Sequence, residues 1–161
     1  MRIRLLVVTA IALLFAAALP ISAPLVRAAA KPLVVVVAAT AAMKDISTAN
    51  LRRAFQGMPT DFEGGKRFVP LNHPTGTPAR VQFDRAVLGL EPDAVGAFWI
   101  DRRIRDESPP PRTVPSADLA LRIVASLPGA ITYAFPEQVT PAIRALTIDG
   151  KAAGAAGYLL K

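Results

Sequence analysis

At 161 residues the chain is the size of one domain, with 52% hydrophobic residues and a formal net charge of +7. It has no cysteine, which excludes disulfides, thiolate nucleophiles and Cys-based metal sites. Its single histidine, His73, leaves most histidine-dependent catalysis without partner residues. In chain order, Arg2 and Arg4 precede an apolar run over 5–19, broken only by Thr9, and a small-residue stretch ends at Ala28, Ala29 and Ala30. A basic start, a short apolar core and an A-x-A site predict a secretory signal peptide over 1–30, and hence a periplasmic protein. The alternative is an uncleaved membrane anchor, but the run is shorter than the roughly 20 residues that span a bilayer. Without Arg2, Arg4 and Arg27 the remainder keeps 16 basic residues against 12 acidic, a net of +4. That balance suits an anionic ligand or an acidic surface and falls short of a nucleic-acid footprint.

Residues 33–38 (LVVVVA) are a continuous β-branched run, as expected of a strand buried on both faces. Ser47 is placed to cap a helix that carries Leu51, Ala54 and Phe55 inward and stops at Gly57. Residues 58–66 read as a loop, and 67–71 (RFVPL) as a short strand that Pro70 ends early. Thr77 then caps a helix with Pro78 in its first position, an apolar stripe of Ala79, Phe83, Ala86, Val87 and Leu90, and Gly89 near its end. Pro92 opens a third helix with Val95, Phe98, Trp99 and Ile104, in which the aromatic pair is expected in the core. The proline-rich stretch 108–115 is too donor-poor for helix or central strand.

Ser116 caps a fourth helix, with Leu119, Ile123, Val124 and Leu127 inward, that ends at Pro128-Gly129. A strand over 130–135, a short helix over 136–142 and a strand over 144–148 follow, turned by Asp149-Gly150, and the tail 151–161 is expected to be loose. Alternating strands and helices predict a single three-layer α/β domain over 31–161 with a mostly parallel sheet.

The segment 72–80 (NHPTGTPAR) joins a strand end to a helix start, where open α/β sheets bind ligands and where a helix offers unpaired amides to an anion. Thr75 and Thr77 supply hydroxyls, Gly76 permits close approach, and Arg80 offers a fork suited to an oxyanion. The plain alternative is an ordinary helix start with a solvated Arg80. His73, alone, reads as a strut, and no cofactor or metal is expected. Arg102, Arg103 and Arg105 read as a solvated face, and Asp101, Asp106 and Glu107 carry no mark of a catalytic pair.

Several segments resemble the phosphate-type periplasmic binding proteins of ABC importers. Residues 45–57 resemble that family's L-S/T-x-x-x-L-x-x-I-F-x-G stretch, and Thr75-Gly76-Thr77 falls where it carries a Ser-Gly-Thr phosphate loop. Phe98-Trp99 with 109–111, 128–133 (PGAITY), and Ile148-Asp149-Gly150 with Tyr158-Leu159 resemble its later segments. The resemblance implies one lobe of a type 2 periplasmic-binding fold that binds phosphate or a similar oxyanion in a cleft between two lobes, with Thr75, Gly76 and Thr77 at the phosphate-loop position; Arg80, from the reading of the helix start, would have to supply the charge from a different direction. Partners would be an ABC importer or another envelope protein, with no nucleic acid, and with the membrane reached only through an uncleaved signal segment. Two departures stand out: the family's other lobe has no counterpart, and its arginine and aspartate before Ser-Gly-Thr fall on Leu71 and His73. The expected function is a non-catalytic solute-binding module in which Arg80→Ala abolishes anion binding and leaves the fold intact. The alternative is a ligand-free interaction module that contacts an envelope protein or dimerises; a hydrolase lacks a nucleophile–base pair or metal cluster.

Overall fold

The computed structural model describes residues 31–62, 65–105 and 107–161. The expected signal segment 1–30 lies outside these residues, as does Asp106. Strand β1 (Val34–Ala38) is buried along its whole length, as its unbroken apolar run requires. Alternation sends Val35 and Val37 to one side of the sheet and Val34 and Val36 to the other. Five further strands join it: β2 (Asp45–Ile46), β3 (Val69–Asn72), β4 (Arg112–Thr113), β5 (Ala130–Ala134) and β6 (Ile143–Ile148). Their order is β2-β6-β1-β5-β3-β4. Three of the five pairings are parallel, and β1 is the exception, antiparallel to both β5 and β6.

Helices cover both faces and complete the three expected layers. On the Val35 side lie α1 (Thr48–Phe55) and α2 (Pro78–Phe83), the latter prolonged by a π-helical turn over Asp84–Leu88. Their aromatic residues meet over the sheet. Phe83 stacks on Tyr133 at 4.0 Å between ring centres and lies tilted against Phe55 at 4.5 Å. Burying side chains of this size contributes about 1.5–3 kcal/mol each. On the opposite face α4 (Ala117–Ser126) packs Ala120 and Val124 against Val34, Val36, Ala130 and Ala134. Helix starts follow the capping residues: Ser47 Oγ accepts from Asn50 N–H, and Ser116 Oγ from Leu119 N–H, each at 3.2 Å.

Several expectations are corrected. Helix α3 (Ala94–Ile104) buries only Val95; Phe98 and Trp99 are half-buried and belong to neither core cluster, and Ile104 is 79% exposed. The inward position given to Leu127 fails too, because the residue caps α4 and is exposed. The helix expected over 136–142 is one 3-10 turn, Pro136–Gln138. The tail does not hang loose: Tyr158 and Leu160 are buried, and Leu160 O accepts from Leu33 N–H at 2.9 Å. Strands β2 and β4, two residues each, had no expectation; β4 is the sheet edge, where a proline-rich segment is tolerated. No helix among the described residues is long and apolar enough to cross a membrane.

Candidate functional site

Adjacent parallel strands β3 and β4 feed helices on opposite faces of the sheet: β3 leads into α2 on the Val35 side, β4 into α4 on the Val34 side. Where connections part in this way a crevice opens beyond the strand ends. A cavity of about 350 Å³ lies there. His73 and Thr77 line it from the loop after β3, Ser116 and Ala117 from the start of α4, and Phe135 and Gln138 from the segment after β5.

Of the residues singled out in the sequence, Thr77 lines this cavity, and Thr75 and Gly76 form the exposed turn before it. Gly76 has φ +83°, a left-handed conformation that a side chain would strain. Thr77 begins α2 without capping it by its side chain; its Oγ1 donates to Pro74 O at 2.9 Å and so folds the loop onto itself. The first amides of α2 are therefore not consumed by a side-chain cap.

Arg80 is neither solvated nor on the cavity wall. It is 4% exposed, its Nε donates to Asp84 Oδ2 at 2.6 Å, and its Nη1 donates to His73 O at 3.3 Å. The guanidinium is thus a buried strut that ties the loop before α2 to the turn after it. The expectation that Arg80→Ala leaves the fold intact is corrected, since removal would strand a buried carboxylate. Burial raises the Asp84 carboxyl above its usual range, and the hydrogen bond and charge of Arg80 oppose that shift.

His73 is a strut as expected, with its ring 4.4 Å from that of Tyr133 and its backbone N–H donating to Tyr133 Oη at 3.3 Å. Burial, then the charge of Arg80, lower its pKa to about 4, so the imidazole is neutral at pH 7. Its Nε2 is buried and has no hydrogen-bond partner among the described residues. The cavity wall therefore carries hydroxyl, amide and neutral imidazole groups but no cationic side chain. Leu71, where the resemblance would want arginine, is core.

Gln138 and Phe135 carry no motif in the sequence, and Ser116 is marked there only as a helix cap. Their one common signal is position after a strand end, and β4 is too short to be seen. On α3, Arg102 is not solvated: its guanidinium lies 5.5 Å from the Phe98 ring centre and 5.8 Å from that of Trp99, and it pairs with Glu107 at 2.9 Å. Arg103 and Arg105 are exposed.

No family model matches the chain, and no curated protein matches it in sequence. Solved structures do match its fold. An ABC-type phosphate transport receptor from Vibrio cholerae superposes with TM-score 0.64 and 15% identity, over 81% of this chain and 53% of the receptor. A candidate phosphate ABC-transporter substrate-binding protein from Clostridium perfringens, with phosphate bound, gives 0.61 and 15% over 76% and 47%. The chain spans about half the length of these proteins. The fold it shares with them is that of one lobe of a periplasmic binding protein.

Proposed function

We propose that the protein is an exported, non-catalytic solute-binding module that takes phosphate or a similar small oxyanion in the cavity between the starts of α2 and α4. The observation that carries this reading is the switch point itself: two helices on opposite faces of the sheet begin at one cavity, at the ends of neighbouring parallel strands. Amides in the first turn of each helix lack intrahelical partners and favour negative charge. Phosphate comes into the proposal from the resemblance in the sequence and from the phosphate bound in the similar Clostridium structure. Delivery to an ABC importer, residence in the periplasm and removal of 1–30 belong to the same reading.

Ala117 gives a cleaner test than Arg80, because it lines the cavity at the first position of α4 and an aspartate there suits a helix start. Calorimetric titration with phosphate, then sulfate, at low salt is expected to give saturable heat in the wild type and none in Ala117→Asp, with thermal stability retained. Binding that survives the added negative charge would remove this cavity as the site.

A second reading is a ligand-free module that contacts an envelope protein or dimerises. It is favoured by the exposure of Ile100 and Ile104, 62% and 79%, on a helix that buries only Val95. Sedimentation giving a strict monomer, with no envelope partner recovered by cross-linking, would count against it.

A further inference from the structure

We infer that the cavity between α2 and α4 selects a monocarboxylate with a neutral hydroxyl and a short apolar chain over inorganic phosphate; this rests on the cavity being the ligand site.

Three observations converge. The first is charge. The wall contributes no cation, and Arg80 is held by Asp84. A phosphate dianion would surrender hydration without a counter-charge, which is costly in proportion to the charge buried. The ten-residue α4 has first-turn amides left over after Ser116 Oγ has taken Leu119 N–H, enough for one carboxylate.

The second is the unpartnered Nε2 of His73, a residue 2% exposed that also lines the cavity. A buried polar atom without a partner costs free energy that a ligand hydrogen bond would recover. The imidazole is neutral, so a ligand hydroxyl, able to donate or accept, satisfies it in either tautomer.

The third is the rest of the wall. Phe135, Pro74, Pro78 and Pro115 offer apolar surface that a bare tetrahedral oxyanion would leave wet. A volume of about 350 Å³ stands at the lower end of the range of small-molecule sites, with room for a short branched chain beside the carboxylate.

The test is calorimetry on the full chain with three probes: 2-hydroxy-4-methylpentanoate, 4-methylpentanoate and inorganic phosphate. The hydroxy acid is expected to bind, loss of its hydroxyl to weaken binding about tenfold, and phosphate to bind more weakly still. Ala117→Asp should abolish hydroxy-acid binding, and His73→Gln should erase the advantage of the hydroxyl. Should His73→Gln fail to fold, the Ala117 variant and the probe ranking still decide. Phosphate binding at least as tightly as the hydroxy acid overturns the inference and leaves the oxyanion reading standing. Binding of none of the three overturns both. Hydroxy-acid binding undiminished in Ala117→Asp places the ligand elsewhere and also overturns the inference.

Discussion

Helices α2 and α3 follow one another in the chain and carry similar apolar stripes, yet the structure uses them in opposite ways. Helix α2 is part of the sheet's core: Phe83 is fully buried, and even its arginine and aspartate lie inside. Helix α3 lies at the margin, and its one well-packed cation, Arg102, rests on aromatic rings that are themselves half-buried. Apolar spacing thus marks which side chains could be buried, while the sheet decides which of them find a surface. The same charge-pair chemistry therefore carries different weight in the two helices.

Asp84→Ala gives the sharpest contrast. It leaves the buried Arg80 guanidinium unpaired and is expected to cost about 3–5 kcal/mol. Asp101→Ala breaks an exposed i,i+4 pair with Arg105 and should cost at most about 1 kcal/mol. Denaturant unfolding of the two variants measures the difference, and equal losses would break the distinction between the helices.

Core truncation should follow the same line. Phe83→Ala removes a ring packed against Phe55 and Tyr133 and is expected to cost about 3–5 kcal/mol. Ile104→Ala, at a residue 79% exposed, should change stability by no more than about 0.5 kcal/mol. A large loss at Ile104 would mean that α3 is covered in solution, for example by a second copy.

The α2 side should also respond to pH. Unfolded His73 takes up a proton near 6.5, whereas the folded protein resists it until about 4. Between these values the unfolded state binds more protons, so stability falls as pH drops from above 6.5 toward 4. The loss amounts to at most about 3 kcal/mol. Asp84, its carboxyl raised by burial, acts in the opposite sense, so the comparison of wild type with His73→Gln isolates the histidine. A variant with the same pH slope as wild type would exclude His73 as the source.

What could be read in the sequence was what the chain fixes locally. The unbroken valines of β1, the capping serines Ser47 and Ser116, and Pro78 at the first position of α2 stand where they were expected, because each acts through its own neighbours. Strands β2 and β4 escaped notice because two residues become a strand only through their partners. The burial of Asp84 and the return of Tyr158 and Leu160 to the core likewise depend on distant contacts. The site divides in the same way. Thr77 was visible as a helix start, but its meeting with Ser116 and Gln138 is a consequence of the strand order β5-β3-β4.

The central claim is that this meeting point is where the protein holds an anion. Amide chemical-shift mapping, with phosphate and then 2-hydroxy-4-methylpentanoate titrated into the labelled protein, tests it most directly. The account predicts saturable shifts with at least one of them, centred on residues 76–80 and 116–119, with α3 unmoved. Shifts centred on α3, or none with either anion, would contradict it.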